Sequence, residues 1–183
     1  MMAPFYTGKG DSGDTGYLGE GRLSKADPRI EALGCVDEAT AALGLARSLS
    51  ASDDVSALIL SLQKDLYQLM SELAAPPENA AVFDEIGEEQ VAWLEARIAD
   101  FEGRVTLPRE FILPGENPAS GALALARTVV RRAERRVVAL LEEGGITKTI
   151  LVTYLNRLSS LIFILEVHES SLTGDGIRLA KEE

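Results

Sequence analysis

Arg127, Arg131, Arg132, Arg135 and Arg136 fall within one short run, Ala-Arg-Thr-Val-Val-Arg-Arg-Ala-Glu-Arg-Arg. The whole chain carries a formal net charge of -11, from 18 basic and 29 acidic residues, so this run is a local reversal of sign. On a helix, Arg127, Arg131 and Arg135 recur at four-residue steps, and Arg131, Glu134 and Arg135 share a face. Like charges so placed repel one another unless an anion lies against them. Two readings stay open. One is a polyphosphate gripped by bidentate guanidinium groups; the other is a solvated face paired with carboxylates such as Glu134, Glu142 and Glu143 on the same segment.

A second cluster lies near the start, in Gly8-Lys9-Gly10-Asp11-Ser12-Gly13. Its spacing is not that of the usual nucleotide-binding P-loop and no buried strand precedes it, so alone it reads either as a phosphate site or as a plain flexible terminus. Lys25 and the arginine run strengthen the first reading, because glycine-turn amides, a lysine and arginine forks are the parts that hold a triphosphate. Arg127 sits among Leu123, Leu125, Val129 and Val130. If partly buried there it requires a carboxylate, for which Asp37 and Glu38 are the candidates. Asn156, in Tyr154-Leu155-Asn156-Arg157-Leu158, is either satisfied by a neighbouring helix or free to meet a phosphate or adenine. His168, the single histidine, is expected at the surface. With one histidine and one cysteine a structural zinc site is set aside, and no elbow motif supports a Ser-His-Asp triad.

These residues must be positioned by helices. Residues 1–27 form a glycine-rich leader with six glycines between Gly8 and Gly21, too many for a helix. Asp27-Pro28 reads as an N-cap with proline in the first turn, opening a helix to about Ser48 that buries Ile30, Leu33, Val36, Leu43 and Leu45. Asp53 or Asp54 caps a second helix, stopped by Pro76-Pro77, and residues 76–86 read as a loop. A third helix runs from about Glu88 to Phe101, and Gly103 to Pro114 is extended. The fourth starts near Pro118 and ends at Gly144-Gly145; the fifth covers about Lys148 to Ser171. The expectation is an all-α, antiparallel five-helix bundle, ferritin-like in its up-and-down core, in one domain: leader 1–27, bundle 28–172 and a loose tail 173–183.

Composition agrees with packed helices, at 46% hydrophobic and 5% aromatic. The acidic balance argues against nucleic-acid binding, which needs an extended basic surface. Cys35, the only cysteine, cannot form an intrachain disulfide and reads as a small buried hydrophobe. The first residues lack the basic and apolar regions of a signal peptide, and no stretch reads as a membrane span, so a cytoplasmic location is the expectation.

Taken together, five segments resemble the PduO-type ATP:cob(I)alamin adenosyltransferases. They are Tyr6-Thr7 through Thr15-Gly16; Arg29 through Glu38; Phe111-Ile112-Leu113-Pro114-Gly115; Ala126-Arg127-Thr128 with Arg131 through Arg136; and Tyr154 through Ser159. The resemblance implies a five-helix bundle that forms a homotrimer, with a site at each subunit interface. It implies transfer of the 5′-deoxyadenosyl group of ATP to the cobalt of reduced cobalamin, releasing triphosphate, with Mg2+ on the ATP. Carried over by position, Thr7, Gly8, Lys9, Gly10, Thr15, Gly16 and Lys25 would bind the polyphosphate, completed by Arg131, Arg132, Glu134, Arg135 and Asn156. Arg131 would be the foremost catalytic group. Arg127 and Asp37 resemble a pair bridging neighbouring subunits, and Phe111, with Ile112, would lie against the lower face of the corrin. A reductase and a cobalamin-dependent acceptor enzyme are the implied partners.

The chain also departs from that pattern. Asp14 stands in the leader where the family usually has threonine, Glu116 follows Gly115 where a glycine is usual, and Ser160 and Glu166 occupy positions that are commonly aspartate and basic. Asp14, Glu116 and Ser160 motivate the alternative expectation, a non-catalytic module that binds and delivers adenosylcobalamin.

Overall fold

The computed structural model describes residues 6–172 and 176–181. Residues 1–5 of the leader, and 173–175 and 182–183 of the tail, lie outside the described residues. Five long helices carry the fold: α1 (Pro28–Leu49), α2 (Asp53–Ala74), α3 (Glu88–Glu102), α4 (Pro118–Glu142) and α5 (Ile150–Leu172). Four two-residue strands complete it: β1 (Asp14–Thr15), β2 (Leu23–Ser24), β3 (Ile112–Leu113) and β4 (Arg178–Leu179).

Local chemistry sets the helix starts. Asp27 accepts from the Arg29 amide at 2.8 Å, with Pro28 in the first turn of α1. Asn117 accepts from the Ser120 amide at 2.8 Å while the Ser120 hydroxyl accepts from the Asn117 amide at 3.1 Å, a reciprocal cap for α4. Gly144, at φ 74, supplies the left-handed turn that ends α4. For α2 the expected cap was one residue late. Ser52 accepts from the Val55 amide at 3.4 Å, and Asp53 and Asp54 sit in the first turn, where their charge suits the helix N-terminus.

Cross-helix pairs give the topology. Glu31 and Glu38 of α1 meet Arg136 and Arg132 of α4, and Asp65 and Glu72 of α2 meet Tyr154 of α5 and Lys148 just ahead of it, so each of these two pairs of helices runs antiparallel. Glu95 with Arg157, and Phe101 with His168, place α3 parallel to α5. The bundle is therefore up-down-up-down-up. One end holds the leader, the end of α2 and the α4–α5 turn. The other holds the α1–α2 turn, residues 103–117 and the end of α5.

The core runs between the inner faces, through Val36, Leu43, Ile59, Leu66, Leu123, Val130, Tyr154 and Leu158. Cys35 is buried within it as expected. Several expectations need correction. Leu45 is 49% exposed, because the inner face of α1 is lined by Ala32, Val36, Ala39 and Leu43, whose small side chains let α4 approach. Residues 77–82 form a short 3-10 helix inside the expected loop. His168 is half-buried, its ring edge-on to Phe101 at 5.3 Å, since α3 covers that side of α5. By length and composition α5 is apolar enough to cross a membrane, contrary to the sequence reading, but most of it is buried inside the bundle. The described part of the tail is not loose: β4 pairs antiparallel with β3, Ile112 opposite Leu179 and Leu113 opposite Arg178. Within 103–114 only β3 is a strand; the rest mixes turns and bends at 103–105, 109–110 and 114 with irregular chain.

Candidate functional site

The leader is a structured hairpin. β1 pairs with β2, Asp14 opposite Ser24 and Thr15 opposite Leu23. Gly13, at φ 87, makes the turn into β1 that a side chain would strain. Turn bonds run from the Asp11 amide to Gly8 O and from the Gly13 amide to Gly10 O, both 3.2 Å. Lys25 Nζ donates to Gly10 O at 2.8 Å. Thr7 Oγ1 accepts from the Lys9 amide at 3.4 Å, and Thr15 Oγ1 donates to Gly16 O at 3.4 Å. The loop thus gathers Thr7, Gly8, Lys9, Gly10, Thr15, Gly16 and Lys25 into one small element.

Arg29, just after the leader, ties the start of α1 to the neighbouring helices. Its buried guanidinium donates to Leu73 O at 2.5 Å, to Ala75 O at 3.0 Å and to Gly145 O. A cation thereby closes the carbonyl end of α2 and reaches the α4–α5 turn. Leu18 N donates to Ala74 O at 3.0 Å, and Asn79 Nδ2 to Leu18 O at 2.9 Å, seating the leader on the same end.

The arginine run resolves into three strips around α4. At 3.6 residues per turn, Arg131 and Arg135 lie about 40° and 80° round from Arg127, and Arg132 and Arg136 about 140° and 180°. On one flank, Arg132 pairs with Glu38, and Arg136 Nε lies 3.2 Å from Glu31 Oε1. On the other, Arg127 Nε lies 3.6 Å from Glu166 Oε2, and Glu134 Oε1 accepts from Asn156 Nδ2 at 3.0 Å. Arg131 and Arg135 form the exposed crest between them and have no ion pair or hydrogen bond among the described residues. The carboxylate-paired reading therefore fits the flanks and not the crest. The partners come from α1 and α5 rather than from Glu142 or Glu143. Asn156 is satisfied by a neighbouring helix, and its Oδ1 also accepts from Arg157 at 3.2 Å.

Within the chain Arg127 does not pair with Asp37 or Glu38. Asp37 is exposed, Glu38 belongs to Arg132, and the carboxylate beside Arg127 is Glu166, from the facing helix. Glu166 is 1% exposed and neither oxygen has a hydrogen bond, while Arg127 keeps 30% exposure. Burial pushes the Glu166 carboxyl up, with Arg127 pulling only part of the way back. A raised carboxyl holds its proton more tightly folded than unfolded. Its stabilising contribution is then complete at low pH and lost as pH rises through the folded value. Glu166→Gln is therefore expected to be more stable than the parent at pH 8, with the gap closing towards pH 4. Urea unfolding at both pH values measures it; a variant weaker than the parent at pH 8 would mean that the Arg127 pair outweighs burial.

Phe111 stands at the opposite end of the bundle from the leader and is 89% exposed. Its carbonyl accepts from the Ala180 amide at 2.8 Å, so the β3–β4 pairing holds its backbone while its ring projects outward. Beside it is a shallow pocket of about 310 Å³ lined by Arg109, Glu110, Ile112, Arg127 and Phe163. Arg127 lies over the Phe163 ring at 5.7 Å. The pocket brings Phe111, Ile112 and Arg127 together. No hydrogen bond or ion pair among the described residues joins the leader loop to Arg131 or Arg135. Sequence reasoning noted Arg29 and Glu166 only against the family pattern and gave them no structural role, and it missed Phe163 and Arg22, whose Nη2 donates to Lys9 O at 3.0 Å and to Asp14 Oδ1 at 3.0 Å. Of the last two, only Arg22 gave a signal, as a lone guanidinium in a loop already suspected of handling charge.

The cobalamin adenosyltransferase family profile matches residues 5–169, which takes in the leader, the Phe111 segment and the crest. The chain belongs to the cobalamin adenosyltransferase family. Among members, the corrinoid adenosyltransferase of Bacillus subtilis is 40% identical over 162 residues, covering 86% of this chain and 82% of the relative. The corrinoid adenosyltransferase PduO of Citrobacter freundii is 40% identical over 161 residues, covering 87% of this chain but 48% of the relative. This chain thus spans about half the length of the PduO relatives it matches. Among solved structures, a phenylalanine-to-alanine variant of the PduO-type ATP:corrinoid adenosyltransferase of Lactobacillus reuteri, complexed with cobalamin and ATP, superposes with a TM-score of 0.91. It is 32% identical and covers 98% of this chain and 100% of that one. An arginine-to-lysine variant of the same enzyme, complexed with ATP, gives 0.89 at 33% identity, over 97% of this chain and 100% of that one. The adenosyltransferase family thus accounts for the fold across nearly the whole chain.

Proposed function

We propose that this chain transfers the 5′-deoxyadenosyl group of ATP to the cobalt of cob(I)alamin, giving adenosylcobalamin and triphosphate. The observation that carries the reading is the crest: two guanidinium groups without partners among the described residues, on a helix whose other arginines all have carboxylates. Arg127, which lines the Phe111 pocket, lies on the same helix, and Arg131 and Arg135 follow about 6 and 12 Å along it at a rise of 1.5 Å per residue. One helix therefore links an aromatic surface suited to a flat ring with a cationic surface suited to phosphates.

Cobalt(I) is the nucleophile, so no side chain need serve as one. Its electron pair forms the bond to the 5′ carbon as the carbon–oxygen bond breaks, and the departing triphosphate takes that bond's electrons. Arg131, with Arg135, Lys25 and the loop amides, would neutralise the charge as it develops. A magnesium ion carried on the ATP would add its charge to that of these groups. Phe111 would exclude a lower ligand from the metal, making cobalt(II) easier to reduce. Phe111→Ala is expected to slow turnover from cob(II)alamin under limiting reductant by tenfold or more, with ATP affinity unchanged by calorimetry. Equal turnover of variant and parent would remove Phe111 from that step.

A homotrimer is proposed with the activity, as is a cytoplasmic location, with a reductase and a cobalamin-dependent enzyme as partners. Support for shared sites comes from the leader and Phe111 standing at opposite ends of one chain. A second copy would bring a loop to each crest, and Asp37 to Arg127. Two features that motivated the delivery reading lose force. Asp14 is held by Arg22 and Ser12, and Glu116 Oε1 lies 3.6 Å from Arg178 Nε. The test is spectral, with ATP, magnesium and chemically reduced cobalamin. Formation of the cobalt–carbon bond is expected; tight binding of adenosylcobalamin without its formation would favour the carrier.

A further inference from the structure

Four carbonyls of the leader loop point at residues on the β2 side of the hairpin. Arg22 Nη2 takes Lys9 O at 3.0 Å and Asp14 O at 3.1 Å, Lys25 Nζ takes Gly10 O at 2.8 Å, and the Lys25 amide takes Gly13 O at 2.9 Å. The amides of Gly10 and Ser12 donate to no acceptor among the described residues. A loop whose carbonyls are drawn to one side leaves its unpaired N–H groups for an anion. The same Arg22 Nη2 reaches Asp14 Oδ1 at 3.0 Å, and Ser12 Oγ donates to that oxygen, also at 3.0 Å. Left alone, the Asp14 carboxylate would stand among phosphate-binding groups and repel the ligand.

We propose that Arg22 is the positioning residue of the phosphate loop. It draws the Lys9 and Asp14 carbonyls inward and cancels the Asp14 charge, so that the loop meets a triphosphate with amides foremost. The Arg22 donor, and after it the Ser12 hydroxyl, also holds the Asp14 carboxyl below the usual carboxylate range, in line with a paired carboxylate. The role rests on the transferase reading, because it needs ATP as the ligand. It predicts that Arg22 and Asp14 act as one unit, which a double-mutant cycle measures.

The cycle uses the full chain and its Arg22→Ala, Asp14→Thr and doubly substituted variants, titrated with magnesium–ATP by calorimetry without cobalamin. Arg22→Ala is expected to weaken ATP binding tenfold or more while kcat at saturating ATP changes less than threefold. Asp14→Thr should bind within threefold of the parent. The double variant should recover at least threefold over Arg22→Ala, because the uncompensated carboxylate is gone. In the nucleotide-free protein, amide exchange at Asp11 and Gly13 should quicken in Arg22→Ala at unchanged helical circular dichroism. ATP binding or loop exchange in Arg22→Ala equal to the parent's, or two substitutions whose effects simply multiply, overturns the proposal. A parent that binds no ATP overturns the transferase reading and the proposal with it, whereas a binding parent with an unresponsive Arg22→Ala overturns the proposal alone.

Discussion

Arg131→Ala is expected to lower turnover by about 100- to 1,000-fold, the usual loss when one donor to a developing negative charge is removed. The side chain is exposed on the α4 crest, with no hydrogen bond or ion pair to lose among the described residues. The fold should therefore change by no more than about 0.5 kcal/mol, as for other exposed positions. Relief of repulsion from Arg135, four residues on, works in the same protective direction. The substitution thus separates chemistry from stability. Arg131→Lys should fall between parent and alanine variant, since it keeps the charge but loses the planar fork. Steady-state kinetics by the cobalamin absorbance change, with sedimentation to check assembly, decide it. An alanine variant with parental kcat would take Arg131 out of the mechanism and leave the crest without a purpose.

Arg29→Leu is expected to be the most damaging single change to the fold. The leucine fills part of the space but leaves the carbonyls of Leu73, Ala75 and Gly145 without their charged donor. Hydrogen bonds to charged groups contribute about 1.5–3 kcal/mol each, and neighbouring bonds are not additive, so a loss of about 3–5 kcal/mol is reasonable. In a chain of this size that lowers the melting temperature by roughly 10 °C. The damage should begin at the leader end, where α1, α2 and the α4–α5 turn meet on this one guanidinium. ATP binding should weaken before the helices melt. Urea unfolding followed by circular dichroism measures the first effect and calorimetry the second; a loss under about 1 kcal/mol would show that water replaces the guanidinium without penalty.

Helix boundaries were legible where the chain states them locally. Asp27-Pro28, Pro118 and Gly144 act through neighbouring residues, and the helices start and stop there. What escaped was set by registry between distant elements. Glu31 and Glu38 become partners for Arg136 and Arg132 only after α1 lies antiparallel to α4, and Glu166 reaches Arg127 only from α5. The tail gave no sign of β4 because a two-residue strand has no periodicity to read. Leu45 misled because helical spacing marks a face without saying how wide the contact with the neighbouring helix will be. For the site, the residue types and family order were plain in the sequence. Which arginines were already occupied was not, and that distinction singles out Arg131 and Arg135.

Cys35 offers an unforced experimental handle. Its thiol faces the interior from α1, the helix whose carboxylates grip the flank of the arginine helix. A membrane-permeant alkylating reagent could label it only when α1 swings clear, so labelling rates would time that breathing motion with no engineered probe. Comparing those rates with and without nucleotide would report, in a natural one-thiol protein, whether a bound ligand clamps the bundle shut.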